Sequence, residues 1–186
     1  MTTAVAPITG TATWNLDAAH SKVAFKVKHL MISTVRGHFN DIKATVEVDE
    51  SNPASAKVEV TIGTASIDTS NEQRDGHLRS PDFFDAENHP TITFAGKRLE
   101  KGGSADFRLV GDLTVRGVTR EIALDVTDEG RGQDPWGGTR AGFTITGKLN
   151  RGDFGLTWNA ALETGGVLVG KDITITLDLQ GALQQD

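Results

Sequence analysis

Residues 22–28 read KVAFKVK: Val23, Phe25 and Val27 fall on one face, and Lys22, Ala24, Lys26 and Lys28 on the other. Successive side chains of a strand point to opposite sides of its sheet, so this period of two marks a β-strand with one wet face. The same alternation recurs on either side. Trp14 and Leu16 are set against Thr13 and Asn15, and in Ile42–Asp49 Val46 and Val48 oppose Lys43, Thr45, Glu47 and Asp49. Val58, Val60 and Ile62 face away from Lys57, Glu59 and Thr61. Further strands are expected at Thr91–Leu99, Ala105–Val115 and Thr119–Thr127, through Ala141, Phe143, Ile145, Gly147 and Leu149, and through Ile173, Ile175, Leu177 and Leu179. Thr34–Asn40 reads as a weaker strand broken by Gly37. Turns are expected at Ser51-Asn52-Pro53 and at Arg116-Gly117, a longer loop at Asp128–Gly138, and tight turning at Gly165 and Gly166. The spacers are too short for crossover helices, so about eight to ten strands must pair mainly antiparallel, and a set of that size curls into a barrel or splits into a sandwich. The fold class is all-β, in one domain spanning residues 1–186, with residues 1–10 expected as a flexible N-terminal tail.

One stretch departs from the pattern. Arg74–Phe84, RDGHLRSPDFF, carries Arg74, Asp75, His77 and Arg79 but only Leu78 as a large apolar residue before Phe83 and Phe84. Ser70 followed by Gln73 matches a capping box and predicts a helix over about Asn71–Arg79 within an insertion at about 71–84. Asp75 and Arg79 are spaced to pair, Gly76 weakens the helix and Pro81 stops it. Without an apolar stripe such a helix forms only by docking, for which Phe83 and Phe84 are available.

Composition narrows the function. The chain has 25 acidic against 19 basic residues and a net charge of −6, which disfavours general attraction to nucleic acid or to anionic surfaces. It has no cysteine, hence no disulfide, thiol nucleophile or thiolate metal site. No run of about 18 apolar residues exists to span a membrane as a helix. Met1–Gly10 has no Lys or Arg and no apolar block of signal-peptide length, so a cytoplasmic location is expected.

Local motifs are sparse. Gly165–Lys171, GGVLVGK, approaches a phosphate-binding loop, but Asp172 replaces the required Ser or Thr and a strand pattern follows where a helix is needed. His20, His29, His38, His77 and His89 show no metal-ligand spacing, and no metal or cofactor is expected. His77 has charged neighbours, and Arg151 and Asp153 are the next polar candidates. Ser33, Ser66 and Ser70 lack the elbow that presents a serine nucleophile. A small barrel either fills its interior with side chains or holds one ligand, and periodicity does not choose between them. Gly111, Gly142 and Gly147, inside strand segments, remove side-chain volume and tilt the balance towards a cavity or a bend.

Taken together, WNLDAAHSKVAFKVKHLMISTVRGHF, RDGHLRSPDFF with His89-Pro90 and Phe94 after it, GDLTVRGVTR, DPWG, and RGDFGLTWN with GGVLVG resemble the YceI-like family of bacterial lipocalin-like, polyisoprenoid-binding proteins over nearly the whole chain. The resemblance implies an extended antiparallel barrel of about eight strands around an elongated apolar pore, holding the tail of an isoprenoid quinone or prenyl phosphate. On that reading the tail is expected against Val23, Phe25, Val27, Phe39, Val46, Phe94, Phe107, Leu109, Phe143, Ile145, Ile175 and Leu177, with Trp158 near a rim. The head group is expected near Arg74, His77, Arg79, Arg151 and Asp153. A register slip of one residue would exchange inside and outside, most easily in Thr34–Asn40.

Three functions compete at this level. A non-catalytic carrier or store of a polyisoprenoid lipid, the leading expectation, requires a continuous apolar tunnel and no catalytic residues. An enzyme acting on such a lipid would use His77 with Asp75 or Asp153 as acid and base. A structural or interaction barrel would be filled. A homodimer is compatible with all three.

Overall fold

The computed structural model of the chain describes residues 8–184. Its strands are Thr11–Leu16 (β1), Lys22–His29 (β2), Ser33–Phe39 (β3), Ile42–Asp49 (β4), Asn52–Gly63 (β5), Ile67–Asp68 (β6), Thr91–Lys101 (β7), Phe107–Val115 (β8), Val118–Gln133 (β9), Thr139–Asn150 (β10) and Val169–Leu183 (β11), with one α-helix, Glu72–Arg79 (α1). Every strand pairing is antiparallel, and the sheet closes because β11 pairs with β10 along one edge and with both β1 and β2 along the other. A 3-10 turn at Ala18–His20 interrupts β1–β2, which otherwise runs as one stave, and β3–β4 is a second broken stave beside it. With β5, β7, β8, β9, β10 and β11 these make a closed eight-stranded barrel, and β6 is a short addition on the edge of β3. Closure removes the exposed sheet edges that would otherwise recruit other chains. The expected tail at residues 1–10 falls mostly outside the described residues, although the Gly10 carbonyl accepts the Glu50 N–H at 3.4 Å.

Two departures from the sequence expectation have simple causes. β9 continues to Gln133, so the expected loop Asp128–Gly138 shrinks to its last five positions. Those extra residues pair with Thr139–Gly142 of β10 as a polar and glycine-containing run that lacks the apolar alternation of the rest of β9. β3 is unbroken, and Gly37 is there for space: a Cβ at that position would lie 2.5 Å from Phe25 Cζ and 2.8 Å from Thr69 Cγ2. Gly37→Val should therefore displace the Phe25 ring and cost about 1–3 kcal/mol, seen as a lower thermal midpoint by circular dichroism. The inward glycines Gly111 and Gly147 are likewise roofed, by Phe94 and by Leu124, so they accommodate neighbouring side chains.

α1 is held by polar ties. Its N-cap is Asn71, whose side chain accepts the Arg74 N–H at 2.9 Å, while Ser70, the expected cap, sits in the left-handed region at φ 59°. Asp75 is buried and accepts from the Thr69 N–H and hydroxyl, so the expected pair with Arg79 is not made. Arg79 donates instead to the carbonyls of Ala65 and Ile67 at 2.8 and 2.9 Å. After Ser80 the chain turns inward, burying Phe83 and setting Phe84 edge-on to Phe39 with ring centroids 6.0 Å apart. Arg116, on the β8–β9 hairpin, ties this segment down by donating to the Phe83 carbonyl at 2.9 Å. The expected docking through Phe83 and Phe84 thus places the insertion across one end of the barrel.

At the opposite end, Arg140 bridges Asp134 at 2.9 Å and Asp17 at 3.0 Å, clasping the β9–β10 hairpin to the turn after β1. The Gly138 N–H and the Arg140 guanidinium hold the Asp134 carboxyl below its ordinary range. A carboxyl with a depressed folded-state value contributes stability above its unfolded pKa of about 4 and loses it as pH falls through the depressed value. Asp134→Asn should be less stable than the parent at neutral pH, and the two acid-unfolding curves should converge as pH falls through the depressed value.

Candidate functional site

The barrel is hollow. A cavity of about 410 Å³ runs through its axis. Phe25, Phe107, Phe143, Ile175, Val46, Val58 and Val60 point inward yet remain only partly buried, because the surface they keep looks into this space. Side chains packed to ordinary interior density would leave few voids larger than a water. Kept empty, an apolar void of this size costs on the order of several kcal/mol.

The wall includes Val23, Phe25, Val27, Phe39, Val46, Phe94, Phe107, Leu109, Phe143, Ile145, Ile175 and Leu177. The uncertain stave β3 has Phe39 inward and its register is fixed by the pairing of Phe39 with Val23. Val58, Val60 and Ile62, and Ile122, Leu124 and Val126, which alternate in the same way, also line it. Trp158 does not reach the wall. It packs between His77, at 4.7 Å, and Phe83, at 5.2 Å, behind the residue that does face the cavity.

Among the described residues, the charged groups that meet the cavity stand near its ends. At the helical end, Leu78, Phe83, Phe84, Phe154 and Leu156 close around Arg151, which is 7% exposed. The Arg151 Nε donates to the Gly170 carbonyl at 2.8 Å, Nη1 to those of Leu156 and Trp158 at 2.7 and 2.9 Å, and Nη2 to that of Val169 at 3.3 Å. A guanidinium has five N–H donors, so one remains. Burial lowers the pKa of Arg151, yet a guanidinium stays protonated, and among the described residues no carboxylate pairs with it. The cavity therefore ends beside a buried positive charge that is held by carbonyl oxygens and has no carboxylate partner among the described residues.

At the other end stand Glu50, Asp128 and Arg131. Arg131 Nη2 donates to Glu50 Oε2 at 3.1 Å and stacks its guanidinium 5.3 Å from the Trp14 ring centre. Glu50 Oε1 lies 3.0 Å from the same nitrogen but off the direction of a hydrogen bond, and is shut off from solvent without a donor. Sequence reasoning missed this trio, which follows the alternating parts of β4 and β9 and carries no periodic signal.

Of the residues expected near a head group, the structure brings only Arg151 to the cavity. Arg74 is used up on Thr69, its Nε and Nη2 each donating at 2.7 Å to the hydroxyl and carbonyl. Arg79 is engaged with Ala65 and Ile67, on the wall of a separate polar depression with Asp75. His77 bonds Asp82 at 2.8 Å and lies edge-on against Phe83 at 5.0 Å, outside the wall. Asp153 is exposed on the 3-10 turn Arg151–Phe154. The acid–base pairing of His77 with Asp75 or Asp153 is not formed: His77 faces Asp82, and Asp75 is committed to Thr69. For Arg74, Asp75 and Arg79 the physical reason is shared: a marginal helix without an apolar face consumes its polar side chains in docking, whereas Asp153 simply faces solvent.

Comparison with known proteins agrees with this architecture. A UPF0312 protein of Staphylococcus epidermidis is 42% identical over 161 residues, which is 86% of this chain and 91% of the relative. The crystal structure of the Campylobacter jejuni YCEI protein is 35% identical, superposes with a TM-score of 0.70, and is matched over 97% of its length by 92% of this chain. A polyisoprenoid binding domain from Saccharophagus degradans shares the fold at 14% identity and a TM-score of 0.64, covering 92% of this chain and 98% of that domain. The YceI-like domain model matches residues 14–181, and with the barrel, its helical insertion and these relatives in agreement, the chain belongs to the YceI-like family.

Proposed function

We propose that the protein binds a long polyisoprenoid lipid, of the isoprenoid quinone or prenyl phosphate type, along the barrel axis and carries or stores it without catalysis. The observation that carries this reading is the unfilled, apolar, end-to-end interior of the barrel. The named function of the Saccharophagus degradans domain on the same fold supports it. The chemistry fits a chain-like guest. At about 0.8 kcal/mol per buried CH₂, a five-carbon unit contributes on the order of 4 kcal/mol. Association costs about 4–15 kcal/mol, so one or two units barely offset it and a tail of several units gives useful affinity.

The proposed tail contacts are the twelve wall residues expected from the alternating strands, and the proposed head contact is Arg151. Its spare N–H and unpaired charge suit a phosphate oxygen or a quinone carbonyl. The hollow interior weighs against a filled structural barrel.

Mass spectrometry of an organic extract of freshly purified, undelipidated protein tests the proposal. An isoprenoid species at near-stoichiometric amount is expected. An extract without apolar ligand, together with failure of delipidated protein to take up a long-chain prenyl phosphate or quinone, would sink it.

A further inference from the structure

Large apolar side chains exposed on the described surface are four: Leu30, Met31, Ile32 and Trp136. The first three are consecutive and form the tip of the β2–β3 hairpin, at the barrel end occupied by α1, while Trp136 lies at the opposite end. Ile32 is 82% and Met31 59% exposed. Leu30 and Met31 both adopt left-handed backbone, at φ 53° and 61°, and the Ile32 N–H closes the turn on the His29 carbonyl at 3.2 Å. A turn with positive φ at both central residues ordinarily uses Asn-Gly there, because larger side chains are strained at positive φ. Leu-Met is the worse choice here both for the turn and for contact with water. Folding of this hairpin does not account for it, whereas insertion of the tip into an apolar medium does.

Cations predominate on the flanks. Val23, Phe25 and Val27 face the cavity, so Lys26 and Lys28 point outward, and Lys26 stands across from Arg36 on β3. On the neighbouring end of β11 Lys171 is exposed, and Gly170 before it would carry its Cβ 3.3 Å from that of Lys28. Among the described residues none of these four cations takes part in an ion pair. Glu163 and Asp172 are the nearby carboxylates in sequence. The tip is also tied to the lipid-facing wall: the Leu30 N–H donates to the Leu168 carbonyl at 2.8 Å, next to Val169, which lines the cavity and whose carbonyl accepts from Arg151.

We propose that Leu30-Met31-Ile32, flanked by Lys26, Lys28, Arg36 and Lys171, is a membrane-docking tip that enters the surface of an anionic lipid bilayer. An apolar wedge between unpaired cations matches an acyl layer beneath negative headgroups, and it works locally against the net charge of −6. It would set the α1 end of the barrel against the bilayer. Docking and tunnel occupancy are separable, since protein stripped of tunnel lipid keeps this surface.

The chain has no cysteine, so Ile32→Cys and, at the opposite end, Gly103→Cys can each carry a solvatochromic dye. The added Cβ at Gly103 meets open space. With vesicles of phosphatidylglycerol and phosphatidylcholine, the dye at position 32 should shift to the blue and the dye at 103 should not; pure phosphatidylcholine should give a weaker shift. In vesicle flotation of delipidated protein, Ile32→Asp should lower the bound fraction at least about tenfold, and Lys26→Glu with Lys28→Glu should lower it in a salt-dependent way. Equal shifts at both positions, or no shift at either, overturns the proposal. So does the finding that Ile32→Asp converts a dimer to a monomer by analytical ultracentrifugation while the parent floats with no vesicle, which would make the tip a contact between copies.

Discussion

Arg151→Met is expected to lower the thermal midpoint by about 6–12 °C, the largest effect of any single polar substitution considered. The guanidinium fans into four backbone carbonyls, those of Leu156, Trp158, Val169 and Gly170, and so stitches the loop after β10 to the start of β11. Methionine keeps much of the aliphatic volume but donates nothing. Each buried carbonyl left without a donor costs about 1–3 kcal/mol, partly offset by removing a buried charge, for a net loss of about 3 kcal/mol. Arg151→Lys should fall between, since an ammonium keeps the charge but cannot reach carbonyls spread in several directions. Differential scanning calorimetry checks the order parent, Lys, Met. A midpoint unchanged in the Met variant would mean that the carbonyls find other donors. If the head group sits where proposed, titration of each folded variant with a long-chain prenyl phosphate should show the same order, and the corresponding alcohol should discriminate far less among them.

Ala44→Trp is expected to empty the barrel of ligand while leaving it folded. Ala44 lies inward on β4 between Ile42 and Val46, opposite Val60, and is a small wall residue that is only partly buried because the cavity lies before it. An indole there would occupy the space of the guest across the bore instead of displacing packed neighbours. The isoprenoid recovered by extraction should fall at least about tenfold, with a melting temperature equal to or above that of the delipidated parent. Undiminished lipid with a retained melt would place the guest elsewhere on the molecule.

The strands announced themselves because one rule, apolar in and polar out, governs nearly every stave. KVAFKVK at 22–28 marks not only a strand but the face that turns to the cavity, and the twelve residues expected from such alternating strands line its wall. That the interior is hollow was not in the periodicity. Val58 or Ile175 would alternate identically in a filled barrel, and only their residual exposure distinguishes the two. The polar assignments fared worst for the opposite reason. Arg74, Asp75, His77 and Arg79 are neighbours in sequence, but all are drawn to partners outside the cavity: Arg74 and Asp75 to Thr69, His77 to Asp82, and Arg79 to Ala65 and Ile67. Arg151, 70-odd residues downstream, reaches the cavity because the loop beyond β10 folds back over it. Glu50 and Arg131, from separate hairpins, meet only after the barrel has closed.

That closure falls to β11. It is hydrogen-bonded to β10 on one side and to β1 and β2 on the other, with Leu183 opposite Trp14. A chain emerging from the ribosome can assemble β2 through β10 as successive hairpins, but it has no enclosed bore until the final stave has joined the two ends of the sheet. Such distant pairing is the slow kind, since its loop entropy is lost before its contacts are gained. During synthesis the apolar inner faces would therefore stand open, a trough accessible along its length to a lipid or to a chaperone. A guest can be wrapped at that stage without threading through either end, so protein refolded in the absence of lipid and protein made beside a membrane could differ in occupancy while sharing the same final fold.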